Sequence, residues 1–340
     1  MAYRIAINGL GRIGRCVLRA FYESTDYPEL RIVAINDVAD IGTLSHLIRY
    51  DSTHGRFLGD VEQDGQTLRI NGDAVRISNS EKFDNLPWSE LDIDLVLECS
   101  GTFTDRATAS ELLAAGAGKL LFSQPAEADV DATVIYGINH EALTGSERIL
   151  SNASCTTNAI IPVIQCLDEA LGIKNGVITT IHSAMNDQPV IDAYHHNDLR
   201  KTRSAMQSII PVETEIARGI GRILPHLRDS FEAQAMRVPT VNVSAIDLVV
   251  VVEKACSATT VNDLVKQKSL NLLPNILGYT DEPLASCDFN HDPRSAIVDL
   301  SFTRVSGQNL VKVLIWFDNE WAYANRMLDV AQYLSSLRKH

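Results

Sequence analysis

The sequence predicts an α/β protein with a Rossmann-type doubly wound parallel sheet and an α+β catalytic domain whose sheet is mostly antiparallel. Two observations indicate this fold class. A glycine-rich turn lies between a strand pattern and a helix pattern at the start of the chain, and long alternating apolar runs fill the second half. The length of 340 residues suits about two such domains.

The first element is a nucleotide-binding turn. An apolar run over residues 3–7 predicts a strand, residues 15–22 have helical periodicity, and GLGRIG lies between them. The first glycine makes the turn, the second lets the backbone approach a pyrophosphate, and the third lets the helix pack on the strand. The helix N-terminus then offers N–H donors to the phosphates. The candidate cofactor-binding residues here are Gly9, Gly11, Arg12, Ile13 and Gly14.

The next strand, residues 31–35, ends in Asn36 and Asp37. An acidic residue roughly 20 positions after the glycines can accept hydrogen bonds from both ribose hydroxyls of the adenosine. Because a carboxylate there repels a 2′-phosphate, Asp37 predicts NAD rather than NADP.

Two further strands, residues 94–98 and 119–122, end at small or polar residues. The carboxyl ends of parallel strands line the ligand crevice, which makes Ser100, Gly101 and Ser123 candidate cofactor contacts. Each of these three residues could equally be an ordinary turn residue.

A candidate nucleophile begins the second half. Cys155 lies between Ser154 and Thr156, and a helical pattern follows it. A helix N-terminus favours a thiolate and supplies N–H groups that can stabilise an oxyanion. His182 ends a β-branched run and can serve as the base that takes the thiol proton. A lone cysteine or histidine is more often a packing residue, and we interpret the other five cysteines in that way.

The polar segment 183–206 reads as a loop with a basic cluster, in which Arg200, Lys201 and Arg203 are either phosphate ligands or solvated charges. Arg237 lies among apolar and turn residues, where an unpaired charge is costly, so we expect it to bind a substrate phosphate. Alternating runs over 241–252, 295–305 and 310–317 predict the antiparallel sheet, and 321–337 a terminal helix.

Composition excludes several classes of partner. A net charge of −13 argues against nucleic acid and anionic membranes as general partners. No apolar run reaches the roughly 18 residues of a membrane span. The chain enters a strand at once, so we expect no signal peptide. Six scattered cysteines without paired spacing indicate reduced thiols in the cytoplasm, with no metal site.

These residues together resemble the glyceraldehyde-3-phosphate dehydrogenase superfamily along essentially the whole chain. The resemblance rests on residues 6–15 (AINGLGRIGR), 151–158 (SNASCTTN), 236–240 (MRVPT) and 316–320 (WFDNE). It implies a homotetramer that uses NAD, a thioester on Cys155, His182 as the base and Asn319 on the nicotinamide amide. It also implies an NAD-binding domain over residues 1–154, joined by a C-terminal helix (319–340), and a catalytic domain over 155–318.

This chain differs from the glycolytic members of the superfamily at residues that bind phosphate in those enzymes. Their usual His-Ala-Tyr-Thr is His182-Ser-Ala-Met185 here, and their Thr-Gly in the site for inorganic phosphate is Thr214-Glu215. Lys201 stands where an arginine of the basic loop usually contacts phosphate, although the alignment leaves Arg200 and Arg203 as alternatives. We expect Thr214 in the substrate site and Glu215 to hinder an incoming phosphate dianion by repulsion or size.

The chain most resembles the erythrose-4-phosphate dehydrogenase branch of that superfamily, through residues 181–185 (IHSAM), 190–194 (VIDAY), 208–212 (SIIPV) and 288–293 (DFNHDP). That branch oxidises D-erythrose 4-phosphate to 4-phosphoerythronate, with water resolving the thioester, in the bacterial route to pyridoxal 5′-phosphate. Two alternatives are a phosphorylating glyceraldehyde-3-phosphate dehydrogenase and a protein that senses NAD or redox state through the thiol.

Overall fold

The computed structural model describes residues 2–195, 198–271 and 275–338, which cluster into two compact units. The first unit comprises Met1–Ser154 with Tyr323–His340, and the second comprises Cys155–Ala322. Residues 339 and 340, at the end of the expected terminal helix, lie outside the described residues. The predicted fold class is confirmed, because one sheet is rich in parallel strands and the other is mostly antiparallel.

The first unit is an α/β structure. Its elements along the chain are β1 (Tyr3–Asn8), α1 (Arg12–Glu23), β2 (Leu30–Asn36), α2 (Ile41–Arg49), β3 (Tyr50–Asp51), β4 (Gly55–Arg56), β5 (Val61–Asp64), β6 (Thr67–Ile70), β7 (Asp73–Ser78), β8 (Ile93–Glu98), α3 (Arg106–Ala114), β9 (Ala117–Phe122), β10 (Ala132–Thr133) and β11 (Ile149–Ser151).

Nine of these strands form one sheet in the order β10-β11-β9-β8-β1-β2-β7-β6-β5. Pairing is parallel from β10 to β7 and antiparallel among β7, β6 and β5. The central strands are buried on both faces, which explains their nearly continuous apolar runs. Because β1, β2, β8 and β9 run parallel, the residues that follow them lie along a single edge of the sheet.

The second unit is built around another sheet. Its elements are α4 (Cys155–Leu171), β12 (Ile173–Ser183), β13 (Ile210–Val212), α5 (Ile216–Ile223), β14 (Phe231–Val238), β15 (Ser244–Val252), α6 (Ala258–Asn271), β16 (Leu277–Thr280), β17 (Ala296–Ser306) and β18 (Leu310–Phe317). The order is β13-β14-β12-β15-β18-β17-β16, with β12–β14 and β16–β17 parallel and the other pairs antiparallel. Helix α7 (Trp321–Leu337) belongs to the first unit from Tyr323 onward.

Strand β14 differs from the sequence interpretation. The sequence indicates apolar and turn residues around Arg237, yet Phe231–Val238 forms a strand that pairs with both β12 and β13. The alternation holds from Phe231 to Gln234, but it breaks where Met236, an apolar residue, is partly exposed and Arg237, a charged residue, is buried. Arg237 is therefore a strand residue directly beside His182 in the parallel register.

A helix that crosses a membrane must be both long and apolar. Within residues 2–195, 198–271 and 275–338, no helix is long and apolar enough to cross a membrane.

Gly9 is the backbone position in the first unit that a side chain would disturb most directly. Its φ is +89°, and a Cβ there would lie 2.5 Å from the backbone of Ser100. We expect Gly9→Ala to lower the free energy of unfolding by about 3 kcal/mol or more, from left-handed strain plus overpacking. A urea titration followed by circular dichroism measures this change.

Gly11→Ala is the matched control, because a Cβ at Gly11 would meet nothing within 4 Å. Its cost should stay at about 1 kcal/mol or less, the loss of a favourable N-cap residue. Equal destabilisation by the two substitutions would contradict the close packing of Gly9 on Ser100.

Candidate active site

The nucleophile candidate begins a buried helix. Cys155 is the first residue of α4, a 17-residue helix whose side chains from Thr157 to Val163 are buried. Just before it, Ala153 has φ +54°, a left-handed conformation that is uncommon for a residue with a side chain. Within the first unit, the Tyr323 hydroxyl donates to the Ala153 carbonyl at 2.8 Å, and Ala153 N donates to Ser151 Oγ at 3.0 Å. These bonds hold the tight turn that leads to the helix.

His182 lies within reach of the thiol. The distance from Cys155 Sγ to His182 Nε2 is 3.7 Å. On the other side of the ring, Nδ1 lies 2.8 Å from the Ser183 carbonyl oxygen. A carbonyl can only accept, so Nδ1 carries the hydrogen in the neutral ring and Nε2 presents its lone pair to the thiol. This tautomer is the one a general base for Cys155 requires.

Burial governs the protonation of both groups. It raises the pKa of the Cys155 thiol to about 11, although hydrogen bonds from the Thr156 side chain and backbone lower it. Burial also lowers the pKa of His182 below its ordinary value; the Ser183 carbonyl opposes this shift and the Arg237 charge adds to it. The resting pair is therefore a thiol and a neutral imidazole at neutral pH.

Burial thus opposes the thiolate that the helix start favours. The helix start acts in the predicted direction, because backbone and Thr156 hydrogen bonds lower the pKa of Cys155. Desolvation of the half-buried sulfur is larger, and the carboxylate of Glu320 adds to the rise. Formation of the nucleophile therefore depends on proton transfer to His182 rather than on the helix alone. Thr156 Oγ1 lies 3.9 Å from the sulfur. Ser154, the residue before Cys155 in the chain, is half-buried.

Asn319 is held by two serines that the sequence did not single out. The hydroxyls of both serines donate to Asn319 Oδ1, Ser183 Oγ at 3.0 Å and Ser244 Oγ at 2.8 Å. The backbone N–H of Ser183 also donates to Ser244 Oγ, at 3.0 Å. Ser183 and Ser244 are buried. The adjoining carboxylate of Asp318 accepts from the backbone N–H groups of Glu320, Trp321 and His291, at 2.9, 2.8 and 2.7 Å. The turn that carries Asn319 is therefore firmly held.

Arg237 does not carry an unpaired charge. It is 7% exposed, and its Nη1 lies 2.6 Å from Asp187 Oδ1, while Lys201 Nζ lies 3.2 Å from Asp187 Oδ2. The two cations outweigh burial and hold the pKa of Asp187 below its usual range. The structure thus groups Lys201 with Arg237 around one carboxylate, which sequence reasoning missed because Asp187 lies in a polar loop.

The other basic residues of the loop are arranged differently. Arg203 forms an ion pair with Asp192 at 2.8 Å, both side chains being more than half exposed. Arg200 is exposed in a short 3-10 turn, Arg200–Thr202, with its backbone N–H bound to Asp198. Of the three alternatives for a phosphate ligand, only Lys201 is placed with Arg237.

Thr214 and Glu215 stand between β13 and α5. Thr214 is half-buried and Glu215 exposed, with Glu215 Oε2 only 2.5 Å from Arg218 Nη1. Gly219, one turn after Glu215, packs against Thr157, because a Cβ there would lie 3.3 Å from Thr157 Oγ1. The start of α5 therefore lies beside the start of α4. The Arg218 guanidinium partly offsets the Glu215 charge, which the sequence prediction of phosphate repulsion does not include.

The cofactor candidates lie at the sheet edge of the first unit. Asp37 follows β2, and its Oδ2 accepts the Leu10 amide at 2.7 Å, which ties the acid to the glycine turn. Gly14 packs so closely that a Cβ would lie 2.1 Å from the Gly9 carbonyl oxygen. Arg12 forms an ion pair with Asp51 at 2.5 Å, and Ile13 is half-buried in the first turn of α1.

A buried polar network supports the next strand ends. Glu98 is fully buried, and its Oε2 accepts from Asn8 Nδ2 at 2.6 Å while Oε1 accepts the N–H of Ser100 at 2.7 Å. Burial raises the pKa of Glu98, against the hydrogen bonds from Ser100 and Asn8. Gly101 follows with φ +71°, and Ser123 N donates to the Glu98 carbonyl at 2.9 Å. Ser100, Gly101 and Ser123 thus gather at one edge, as the strand ends predicted.

This edge fits a dinucleotide. A Cβ at Gly11 would meet nothing within 4 Å, so the backbone at the start of α1 is open to a phosphate group. Gly9 and Gly14 instead pack tightly on their neighbours, as a turn and a helix-to-strand contact require. The Asp37 carboxylate, fixed to Leu10, can accept ribose hydroxyls from its remaining lone pairs.

Both halves of the chain match models of one protein family. Residues 3–106 match the model described as the NAD binding domain of glyceraldehyde 3-phosphate dehydrogenase. Residues 154–319 match the model of its C-terminal domain. The prediction of NAD as the cofactor is confirmed, since the first model is that of an NAD-binding domain.

The geometry predicts that the reactivity of Cys155 depends on His182. In His182→Asn we expect alkylation of Cys155 by iodoacetamide at neutral pH to slow by at least about tenfold, because a thiol with a pKa of about 11 has lost its base. The rate in the variant should then climb about tenfold per pH unit towards that pKa. Peptide mass spectrometry over time measures the modification.

Cys287, which is exposed, is the internal control in the same digest and should react equally in both proteins. Equal rates at Cys155 with and without the imidazole would show that His182 does not act on the thiol.

Proposed function

Because the chain belongs to the glyceraldehyde-3-phosphate dehydrogenase family, we propose that it oxidises a phosphorylated aldehyde through a thioester on Cys155. The observation that carries the proposal is the 3.7 Å contact between Cys155 Sγ and His182 Nε2, with Nδ1 bound to a backbone carbonyl. The substrate we infer is D-erythrose 4-phosphate and the product 4-phosphoerythronate, in the bacterial route to pyridoxal 5′-phosphate.

The catalytic cycle begins with the proton on the thiol. His182 Nε2 takes it, and the Cys155 thiolate attacks the aldehyde carbon, forming the C–S bond of a hemithioacetal. In this proposal, backbone N–H groups at the start of α4 stabilise the oxyanion. The imidazolium returns the proton to that oxygen and takes it again as the hydride leaves the carbon. NAD⁺, when bound, supplies the hydride acceptor.

The second half of the cycle releases the acid. His182, after losing its proton to solvent, takes a proton from a water molecule that attacks the thioester carbon. The C–S bond breaks, and the sulfur leaves as a thiolate that the imidazolium can protonate. Thiol and neutral imidazole are thereby restored, which is the resting pair favoured by burial.

Two cationic side chains can bind the phosphate group of the substrate. Arg237 and Lys201 share Asp187, and a phosphate dianion can compete with that one carboxylate for both cations. Arg237 neighbours His182 in the β12–β14 register, so a phosphate on its guanidinium lies near the reacting pair. Thr214 completes the proposed set with a hydroxyl.

Hydrolysis rather than phosphorolysis is supported by two side chains. Met185, which is 48% exposed, stands where a phosphate-binding threonine is usual, and Glu215 places an acid where a glycine is usual. The Glu215–Arg218 pair favours the alternative, a phosphorylating glyceraldehyde-3-phosphate dehydrogenase, because it reduces repulsion of inorganic phosphate. The two functions differ in one measurable requirement, inorganic phosphate.

A homotetramer in the cytoplasm is part of the proposal. The loop from Ser183 onward exposes large apolar side chains, including Val190, Ile191, Tyr194 and Leu199, each at least 75% exposed. Clustered apolar exposure of this kind is typical of a surface covered by another subunit. All six cysteines are free thiols, which suits a reducing compartment.

Cys155→Ala tests the thioester. We expect steady-state NADH formation to be lost while NAD binding survives, because the sulfur forms the covalent intermediate and the glycine turn is untouched. Calorimetric titration with NAD and an absorbance assay measure the two properties. Cys166→Ala, a buried residue later in α4, is the control and should keep turnover. Turnover near that of the parent protein in Cys155→Ala would exclude the mechanism.

The substrate assignment is tested by NADH formation with erythrose 4-phosphate and with glyceraldehyde 3-phosphate, each with and without inorganic phosphate. The proposal expects the four-carbon aldehyde to be preferred and phosphate to have no effect, since water resolves the thioester. Preference for the three-carbon aldehyde with strict dependence on phosphate would instead establish the phosphorylating reaction.

A further inference from the structure

Ser183 touches both the base and the residue expected at the nicotinamide. Its carbonyl accepts the His182 Nδ1 hydrogen at 2.8 Å, and its hydroxyl donates to Asn319 Oδ1 at 3.0 Å. It is fully buried at the end of β12. We propose that Ser183 is a positioning residue that links the general base to the amide of Asn319.

The hydrogen bonds orient the amide of Asn319. Ser183 N–H donates to Ser244 Oγ, and Ser244 O–H in turn donates to Asn319 Oδ1 at 2.8 Å. With the Ser183 hydroxyl, Oδ1 accepts two hydrogen bonds, the usual capacity of a carbonyl oxygen. The amide nitrogen of Asn319 is therefore turned away from the serines, with its N–H donors available to a ligand.

The same residue restricts the imidazole. The Ser183 carbonyl selects the tautomer of His182 that presents Nε2 to Cys155. The backbone of Ser183 is held by Ser244, on the neighbouring antiparallel strand β15. Ser183 therefore positions the ring through its carbonyl and the Asn319 amide through its hydroxyl.

The hydroxyl distinguishes this chain from the glycolytic pattern it resembles. There the residue after the histidine is usually alanine, which keeps the backbone carbonyl and lacks the hydroxyl. An alanine here would leave Asn319 Oδ1 with the Ser244 hydroxyl alone. The carbonyl and hydroxyl functions of Ser183 can therefore be separated by one substitution.

Ser183→Ala removes the hydroxyl and retains the carbonyl. We expect NAD affinity, measured by isothermal titration calorimetry, to weaken by about fivefold, because one of two bonds orienting the amide is lost. The alkylation rate of Cys155 at neutral pH should change by less than about twofold, because the carbonyl of Ser183 still fixes His182. Ser244→Ala removes the other hydroxyl and should also weaken NAD binding. Because it also removes the acceptor of the Ser183 N–H, the alkylation comparison is made with Ser183→Ala alone.

Thr180→Val is the matched control. Thr180 is a buried residue on the same strand, and its hydroxyl has no hydrogen-bond partner within the described part of the chain. It should leave both NAD affinity and Cys155 alkylation unchanged. Thermal unfolding of each variant shows whether a loss comes from misfolding, and Ser244→Ala supplies a second, independent route if Ser183→Ala does not fold.

NAD affinity equal to that of the parent protein in Ser183→Ala, or a loss matched by Thr180→Val, would overturn the proposal. An equal fall in alkylation and NAD binding in Ser183→Ala would also overturn it, since general loosening of the site would explain both. The inference rests on the proposed function for the role of Asn319, yet neither readout uses an aldehyde. Turnover in Cys155→Ala would therefore refute the thioester without changing these results.

Discussion

The hydrogen bond from His182 Nδ1 to the Ser183 carbonyl is the contact on which the chemistry of the second unit depends. It leaves Nε2 as an acceptor 3.7 Å from Cys155 Sγ, and without it the ring could present a hydrogen to the thiol instead. The carbonyl sits at a strand end fixed by Ser244, and the same residue holds Asn319. The position of Ser183 thus decides both the tautomer of His182 and the orientation of the Asn319 amide.

Burial and charge act in opposite directions around this contact. Desolvation keeps Cys155 protonated and His182 neutral, so the resting site avoids an isolated buried charge. Arg237 would disfavour an imidazolium further, but Asp187 pairs with it and raises the pKa of His182. The Asp187 carboxylate that pairs with Arg237 thereby also stabilises the protonated form of His182. A phosphate dianion that replaced Asp187 on Arg237 would provide the same kind of compensation.

Sequence patterns predicted the local features well. The glycine turn, Asp37, Ser100 and Ser123 gather at one sheet edge because parallel strands align their carboxyl ends. The patterns failed where a partner comes from a distant segment. The partner of Arg237, Asp187, lies 50 residues away in a polar loop. Strand β14 does not alternate cleanly because Met236 is partly exposed and the charged Arg237 is buried. Burial, which opposes the thiolate of Cys155, also cannot be predicted from its neighbours in the chain.

By itself, the sequence determined the fold class, the family and the NAD cofactor, because these follow from short-range periodicity and contiguous motifs such as GLGRIG and SNASCTTN. It also marked Cys155 and His182 as a candidate pair. Only the tertiary structure decided their protonation, the tautomer of the ring, the grouping of Lys201 with Arg237, and the two serines on Asn319. Each of these depends on desolvation or on hydrogen bonds between segments far apart in the chain.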